Sequence, residues 1–381
     1  MSCCRVCFLQ DRHPGVTLDA DQVCNVCRLE VAAEFVRNIT RAREAYREFE
    51  RSALRRRADR YDCLLMYSGG KDSTYMLDKL VNVHGMRVLA YTFSPPFESI
   101  HTAENIRLAQ ARIQATFVID RDDSINKVMR AVFNRPKPVG PGNYLDEKLP
   151  CVSCRTFFLL RAVLCARRHS IEHVLLCADP QQMLTMDADV RSVVKSFYRG
   201  FGRDLVTELF GEELEQILFA DNVDLPRIVF PFVVEQDGYD PERIVSELKA
   251  KDLYRSSSFE THCTLLPLLN YYSFRNWDCM FYKLNASSHV RALSRNRDYD
   301  RSTYSLEFPR TMDVLDIEER LRTATLAIAA GTGDPDAHEE MLVDLFTRLS
   351  ATEEAARYVA RSFLDMRRVA AELGISLAGG Q

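Results

Sequence analysis

Residues 62–80 constrain the fold of this chain more than any other stretch, because their character changes twice over a short distance. Residues 63–67 are a continuous apolar run, which predicts a buried strand. Residues 68–73 contain two adjacent glycines and predict a tight turn. From Thr74 onward the apolar side chains recur at helical spacing, which predicts an amphipathic helix. The stretch therefore predicts a strand, a glycine-rich turn and a helix in direct succession.

The turn has the composition of an anion-binding loop. Gly69 and Gly70 can take backbone angles closed to other residues, so successive N–H groups can point into one concavity at the start of the helix. That helix end carries about half a positive charge. Lys71 adds a full charge, and the hydroxyl groups of Ser68 and Ser73 add donors. This set of groups suits phosphate oxygens.

Asp72 and the run SGGKDS indicate which kind of anion the loop would bind. A carboxylate suits a phosphate site if a magnesium ion bridges it to a nucleotide. The glycine spacing differs from that of a Walker A loop, and the six residues resemble the loop of the PP-loop ATP pyrophosphatases. The resemblance implies that ATP is cleaved to AMP and pyrophosphate and that the AMP is attached to a substrate oxygen. The alternative is an ordinary turn between a strand and a helix.

Length and composition limit the classes of protein to which this chain can belong. The 381 residues suffice for one large or two ordinary domains, and 46% hydrophobic with 27% charged residues is typical of a globular chain. The formal charge of −4 provides no general attraction for polyanions. No segment approaches the length of a membrane helix, and residues 1–13 lack the apolar core of a signal peptide. A cytoplasmic protein without a membrane partner is therefore expected.

The twelve cysteines favour metal or redox chemistry over a disulfide framework. Two CxxC pairs near the N-terminus, separated by a Pro-Gly turn, have the arrangement that gives four sulfurs to one tetrahedral zinc ion. So short a segment cannot bury enough apolar surface to fold alone, so the metal would supply the missing free energy. Cys3 could replace one ligand, and four buried or redox cysteines are the alternative. The predicted zinc ligands are Cys4, Cys7, Cys24 and Cys27.

The residues around these pairs carry a second resemblance. The run HPGVTLDADQVCNVC, residues 13–27, resembles the N-terminal zinc knuckle of the N-acetyl sugar amidotransferases. Members of that family continue into a PP-loop domain, as this chain does. The resemblance is close over residues 1–110 and loose beyond them. It implies a glutaminase partner that supplies ammonia.

Strands and helices alternate beyond the loop, which implies a parallel sheet covered on both faces. By resemblance the fold class is α/β, a doubly wound parallel sheet similar to the adenine nucleotide alpha hydrolases, with a C-terminal helical extension. Ligands of such sheets lie beyond the carboxyl ends of the strands. Tyr91 and Thr92 end a strand there, and the resemblance places the adenine against them, whereas Phe93 fits core packing equally well. The predicted strands are 86–93, 116–119, 173–177 and 227–233, and the predicted helices are 102–114, 155–168 and 241–253.

A further CxxC pair, Cys151 and Cys154, precedes the helix predicted at 155–168. Cysteines at a helix start have lowered pKa values, so they serve as reactive thiolates or metal ligands. Together with the distant Cys263, the pair has the ligands that a [4Fe-4S] cluster with an open iron site requires. This pattern resembles that of the PP-loop tRNA thiolation enzymes, where such cysteines serve sulfur transfer. Structural cysteines are the alternative, because the chain also contains Cys165, Cys177 and Cys279, which are expected to be merely buried.

The chain departs from both families. The sugar amidotransferases do not characteristically carry this third CxxC pair. The thiolation enzymes commonly end in a second zinc knuckle, and no CxxC follows Cys279. Asp179, after the strand at 173–177, is a candidate metal or substrate contact, with an exposed turn carboxylate as the alternative.

Four segments are expected: a zinc knuckle at 1–30, a linker helix at 31–60, a PP-loop domain at 61–270 and a C-terminal aromatic and helical region at 271–381. The arginine-rich linker is interpreted as a solvated helix face rather than an RNA-binding patch, because glutamates are interleaved. The aromatic and arginine-rich run 270–304 is interpreted as a packing layer rather than a base-stacking surface. The last helices, around 314–329, 338–349 and 353–373, would form a cap or the surface of a homodimer.

The expected reaction begins with adenylation of a carbonyl oxygen on an acceptor, with Lys71 and Asp72 acting in the loop. Sulfur transfer follows, assisted by the three later cysteines as persulfide carriers or cluster ligands. The cofactors would be ATP, Mg²⁺, Zn²⁺ and a [4Fe-4S] cluster. A small-molecule acceptor is favoured over tRNA, and the sulfur donor would be a cysteine desulfurase or a carrier. The alternatives are an amidotransferase that adds ammonia to an adenylated acetamido group in surface polysaccharide biosynthesis, and a non-catalytic zinc-knuckle protein that binds nucleic acid.

Overall fold

The computed structural model describes most of the chain. The described residues are 2–7, 9–30, 33–55, 60–136, 142–143, 146–178, 188–220, 224–233, 240–255, 263–281, 311–348 and 353–377. Asp179, and residues 282–304 of the aromatic run, lie outside these ranges.

Strands and helices alternate through the described part of the chain. The strands are β1 (Cys63–Met66), β2 (Val88–Phe93), β3 (Thr116–Asp120), β4 (His173–Leu176) and β5 (Arg227–Val229). The α-helices as far as β4 are α1 (Asn25–Glu30), α2 (Ala33–Arg55), α3 (Lys71–Asp78), α4 (Ile100–Arg112), α5 (Ile125–Phe133) and α6 (Leu149–Arg168). The later α-helices are α7 (Val190–Phe210), α8 (Glu213–Phe219), α9 (Pro241–Ala250), α10 (Leu266–Trp277), α11 (Thr311–Ala330), α12 (Pro335–Arg348), α13 (Glu353–Leu364) and α14 (Met366–Leu373).

The five strands form one parallel sheet in the order β3-β2-β1-β4-β5. Leu65 of the central strand β1 lies opposite Ala90 on one side and Leu175 on the other. The chain thus builds the sheet outward from β1 to β3 and then returns to the opposite side of β1 with β4 and β5. The carboxyl ends of β1 and β4 are therefore neighbours. The prediction of an α/β fold with a parallel sheet is confirmed.

The apolar runs explain the position of the central strands. Leu64 and Leu65 of β1 point to opposite faces of the sheet, and both are fully buried. All residues of β2 are buried as well. A strand buried on both faces reads as a continuous apolar run, because neither face meets water.

Several element boundaries differ from the predictions. Helix α3 begins at Lys71, three residues earlier than expected, so the glycine-rich turn ends at Gly70. Helix α6 begins at Leu149, so Cys151 and Cys154 lie inside the helix rather than before it. Proline at the second helical position explains this, because the first turn needs no N–H donor there. The last predicted helix is two helices, α13 and α14, which meet at Asp365.

The chain divides into two compact units. The first comprises Met1–Phe35, Met129–Cys151 and Ser257–Gln381, and it holds the N-terminal cysteines and helices α10 to α14. In it, α10 packs against α11, α13 and α14, and α12 packs against α13. The second comprises Val36–Val128 and Val152–Ser256 and holds the sheet with its apolar core.

One helical stretch, Asp146–Arg168, is long and apolar enough to cross a membrane by length and composition. This finding corrects the expectation that no segment approaches that length. Phe157, Leu160 and Val163 of this stretch are fully buried. The core helix of a globular protein passes the same test of length and composition.

Candidate functional site

The SGGKDS loop leaves the carboxyl end of β1 and turns directly into α3. Gly69 has φ +70°, a conformation that side chains other than glycine rarely adopt. A Cβ atom at Gly69 would lie 2.9 Å from the carbonyl oxygen of Thr102 and 3.0 Å from Ile106 Cγ1 of helix α4. The first glycine of the loop is thus required both by its backbone angle and by the close approach of α4.

The two loop serines form a small hydrogen-bond network. The Ser68 N–H donates to Ser73 Oγ at 3.2 Å, and the Ser73 hydroxyl donates to the Gly70 carbonyl oxygen at 3.1 Å. The Gly70 N–H donates to Ser68 Oγ at 3.4 Å, and the two hydroxyl oxygens are 3.2 Å apart. Ser73 is buried, so its hydroxyl shapes the turn, whereas Ser68 is exposed and its hydroxyl faces solvent.

The start of α3 has no side-chain cap. Gly70 is the N-cap residue in an extended conformation, φ −79° and ψ 164°, and it provides no side-chain cap for the N–H groups of the first turn. Lys71 and Asp72 lie in that turn, with the Lys71 ammonium 3.6 Å from the Asp72 carboxylate. Their side chains are 12% and 18% exposed. The positive end of helix α3, the Lys71 ammonium and the Asp72 carboxylate therefore lie together in one half-buried site.

Cys177 lies at the same edge of the sheet, directly after β4. Burial raises the pKa of the Cys177 thiol well above its usual value, and the negative charge of Asp72 adds to this shift. Cys177 is half-buried rather than fully enclosed, unlike the buried Cys165 and Cys279. The neighbouring strand ends thus bring a protonated thiol into the electrostatic field of the loop carboxylate.

Tyr91 and Thr92, the residues predicted to meet adenine, are both buried. The Tyr91 hydroxyl donates to Asp120 Oδ2 at 2.5 Å, and the Thr92 hydroxyl donates to the Tyr67 carbonyl oxygen at 2.8 Å. Burial and the bond to Asp120 raise the pKa of Tyr91. These two side chains therefore tie β2 to β3 and to the end of β1.

Sequence reasoning missed an ionic network at the carboxyl end of β3. Arg161 of α6 donates two hydrogen bonds of 3.0 Å to the carboxylate of Asp120, and its guanidinium lies 3.2 Å from Asp122. The acidic run after β3 is a local signal for one half of this network. Its partner is one of the four arginines of helix α6, and no local pattern marks which of them pairs with Asp120.

A cavity of about 280 Å³ lies beside the carboxyl end of β4, between α6 and α7. Lys195 and Arg199 of α7 line it and are exposed, and neither forms an ion pair with a described residue. The wall also carries hydroxyl groups and a third cation. The lining includes Arg155, Thr156, Leu176, Ser192, Lys195 and Arg199. These groups suit an anionic ligand.

The four N-terminal cysteines meet as predicted. Their sulfur atoms all lie within 4.8 Å of one another, and all four residues are buried. Cys4 Sγ is 3.8 Å from Cys27 Sγ, and Cys7 Sγ is 3.6 Å from Cys24 Sγ. Sulfurs that bind one tetrahedral zinc ion at about 2.3 Å are about 3.8 Å apart, so the cluster fits that ion. Cys3 is not a member of the cluster.

Backbone donors support these sulfur atoms. The N–H groups of Val6 and Cys24 donate to Cys4 Sγ at 3.4 and 3.3 Å, and the Cys27 N–H donates to Cys24 Sγ at 3.3 Å. Hydrogen bonds from the thiols of Cys24 and Cys27 lower the pKa of Cys4. Such donors stabilise thiolates, the form in which cysteine binds zinc.

The later cysteines are placed less favourably for free thiolate chemistry. Cys151 lies in the first turn of α6 and Cys154 in the second, three residues apart, and both are half-buried. Burial raises the pKa of the Cys263 thiol to about 12, and the neighbouring Cys151 adds to the shift. The Leu265 N–H donates to Cys263 Sγ at 3.4 Å. Cys263 therefore carries its proton at neutral pH.

No protein-family model matches this chain, and no curated protein matches it.

Proposed function

We propose that this protein binds ATP in the SGGKDS loop and adenylates a carbonyl oxygen of an acceptor, as PP-loop ATP pyrophosphatases do. The observation that carries the proposal is the position of the loop, at the carboxyl end of β1 where the strand order reverses between β1 and β4. Open parallel sheets bind ligands at such a point. The proposal includes a doubly wound sheet with helices on both faces.

The loop residues fit a triphosphate with magnesium. The N–H groups at the start of α3 and the ammonium of Lys71 would bind phosphate oxygens, and Asp72 would bind the magnesium ion. Magnesium supplies neutralisation of the charge that develops as pyrophosphate leaves. Gly69 and Ser73 keep the turn in shape, and the exposed hydroxyl of Ser68 adds a donor.

The acceptor would lie in the cavity between α6 and α7, because this cavity adjoins the same edge of the sheet. Its wall of lysine, arginine and hydroxyl groups favours an acceptor with an anionic group. An amide carbonyl is a poor electrophile, so O-adenylation would prepare it for replacement of the oxygen.

Sulfur would be the incoming atom, transferred with the help of Cys151, Cys154 and Cys263. Because Cys263 is protonated at neutral pH, it would enter this chemistry only after its proton passes to a base or to solvent, and coordination of an iron ion would favour that loss. None of the twelve cysteines forms a disulfide bond, which fits the proposal of a reducing compartment such as the cytoplasm. A cysteine desulfurase or a sulfur carrier would be the donor.

Amidation is the second candidate. The knuckle geometry supports the resemblance to the sugar amidotransferases, and the high pKa of Cys263 makes that thiol a poor nucleophile. In this case a glutaminase subunit would supply ammonia, and the three later cysteines would have no part in the reaction.

The test of adenylation is ATP binding and pyrophosphate release by the purified chain. We expect ATP with magnesium to bind to the wild type, and the Asp72→Ala variant to lose this binding at least tenfold. Asp204→Ala, at an exposed position on α7, is the matched control and should bind like the wild type. A wild type that neither binds ATP nor releases pyrophosphate with any candidate acceptor would refute the proposal. Replacing Cys151 and Cys263 then separates the two candidates, since amidation tolerates the loss of both.

A further inference from the structure

Three buried side chains from distant parts of the sequence meet inside the first unit. His13 follows the first CxxC pair, Glu147 lies in the 3₁₀ turn Asp146–Lys148, and Cys279 follows helix α10. His13 Nε2 is 2.9 Å from Glu147 Oε2, and Cys279 Sγ is 3.7 Å from the same oxygen. All three donor atoms lie within 4.8 Å of one another. At 2%, 0% and 0% exposure, the residues are sealed from solvent.

Second contacts orient two of these three donors. The other ring nitrogen of His13, Nδ1, lies 3.3 Å from the Pro14 carbonyl oxygen. Histidines that bind metals commonly donate their second N–H to a backbone carbonyl in this way, which leaves the first nitrogen free for the ion. Cys279 Sγ lies 3.5 Å from the Ser273 hydroxyl, and that hydroxyl is held by a 2.7 Å bond to the Cys279 carbonyl oxygen. The imidazole and the sulfur are therefore held in fixed orientations.

A divalent cation would balance the charges of these three donors. An ionised carboxylate with no solvent exposure is costly unless an opposite charge accompanies it. A divalent ion bound by the carboxylate of Glu147, the thiolate of Cys279 and the neutral imidazole of His13 makes a buried group with no net charge. Nitrogen, oxygen and sulfur donors together are the set that zinc accepts.

We propose that His13, Glu147 and Cys279 bind a second zinc ion, separate from the ion of the four-cysteine knuckle. Binding releases the proton of the Cys279 thiol to solvent and forms bonds from zinc to Nε2, a carboxylate oxygen and Sγ. The ion joins segments that are 134 and 132 residues apart in sequence, so its role is to hold the first unit together. The knuckle alone joins residues within the first thirty.

The test is the zinc content of the purified full-length protein, measured by plasma mass spectrometry. We expect two zinc ions per wild-type chain and one ion in the His13→Asn and Cys279→Ser variants. The matched control is Cys165→Ser, which alters a buried cysteine outside both sets and should retain two ions. Cys24→Ser removes a knuckle ligand and should retain the ion bound by His13, Glu147 and Cys279.

Cobalt substitution gives a second readout. Removal of zinc and titration with Co²⁺ should fill two sites in the wild type, and His13→Asn should lack one of them. A wild type that binds a single ion lost in Cys24→Ser would overturn the proposal. Two ions in both His13→Asn and Cys279→Ser would overturn it as well. If Cys279→Ser fails to fold, the wild-type stoichiometry and the His13→Asn variant still decide.

Discussion

At the scale of single residues, Gly69 shows how one missing side chain shapes the loop. Its positive φ is one constraint, and the Thr102 carbonyl oxygen, 2.9 Å from where a Cβ atom would lie, is a separate one. Gly85 shares the first constraint without the second, since its φ is +64° and no atom lies within 4 Å of where a Cβ would be. The two glycines therefore form a natural pair for comparison.

We expect Gly69→Ala to lower the free energy of unfolding by about 2 to 4 kcal/mol, because left-handed strain and steric overlap add. Gly85→Ala should cost about 1 kcal/mol, because strain acts there alone. Urea denaturation of both variants measures the difference. Equal losses would show that the contact with α4 carries no cost.

The ion pair of Arg161 with Asp120 should contribute more to stability than the exposed pair of Arg168 with Glu213 on the same helix, α6. Arg161→Met leaves a partly buried carboxylate with the Tyr91 hydroxyl alone, so a loss of about 1 to 3 kcal/mol is expected. The control is Arg168→Met, whose pair with Glu213 is exposed and should be worth less than about 1 kcal/mol. Thermal unfolding of the two variants tests this order, and a reversed order would contradict it.

The raised pKa of Cys263 predicts its reactivity. With a pKa of about 12 against an ordinary 9.0, about one thiol in a thousand is ionised at pH 9, where an unperturbed thiol is half ionised. The alkylation rate of Cys263 should therefore be very low at pH 8 and rise tenfold with each pH unit up to about 12. Mass spectrometry after iodoacetamide labelling measures it. Fast labelling at pH 8 would show a thiolate stabilised by its surroundings.

At the scale of elements, the N-terminal knuckle depends on its sulfurs more than on its apolar core. Its buried apolar side chains are few, and they cluster around the four cysteines. Helix α6 is the opposite case, because its apolar residues pack in the core and explain why its composition resembles that of a membrane helix. The knuckle is too short to be stabilised by its apolar core and needs a metal, whereas the burial of many apolar side chains stabilises α6.

Loss of one knuckle cysteine should therefore loosen the whole element. We expect Cys7→Ser to lose the knuckle zinc and to speed amide exchange throughout residues 2–30, because metal binding supplies the folding free energy of such segments. Cys3→Ser is the control, since Cys3 lies outside the cluster and should retain both zinc and slow exchange. Zinc loss in Cys3→Ser would assign it a ligand role.

At the scale of the whole molecule, the candidate nucleotide loop and the metal clusters belong to different compact units. The loop depends on the parallel sheet of the second unit. The knuckle depends on the first thirty residues of the first unit, whereas the cluster of His13, Glu147 and Cys279 depends on segments of that unit that are far apart in sequence. Ligands of the two kinds should therefore leave separate signatures along the chain.

We expect ATP with magnesium to slow amide exchange in β1, the loop and α3, and a zinc chelator to speed exchange in residues 2–30 and around Glu147 and Cys279. The physical reason is that a ligand stabilises the segments that it binds in the folded state. Hydrogen exchange mapped by mass spectrometry measures both effects in one preparation. Protection by ATP that falls outside the second unit would contradict this assignment.

Much of this architecture is visible in local sequence patterns. The apolar run before Gly69 determines β1, and the spacing of Cys4, Cys7, Cys24 and Cys27 determines the knuckle, because both depend on residues that are close in sequence. Helix starts are less predictable: Pro150 precedes the helix predicted from the sequence, yet it lies in the first turn of α6. Local spacing determines which elements form, and their ends are decided by the capping and packing of each turn.

Only the tertiary structure decided which distant residues meet. The pairing of β1 with β4, the bond of Arg161 to Asp120 and the contact of His13 with Glu147 join positions 41 to 134 residues apart. No periodicity links such positions, because hydrogen bonds and ion pairs across a fold depend on how its elements pack. The sequence by itself therefore determined the loop, the knuckle and the alternation of strands and helices. The packing of the elements decided which groups accept hydrogen bonds from the Tyr91 and Thr92 hydroxyls and which residues surround each thiol.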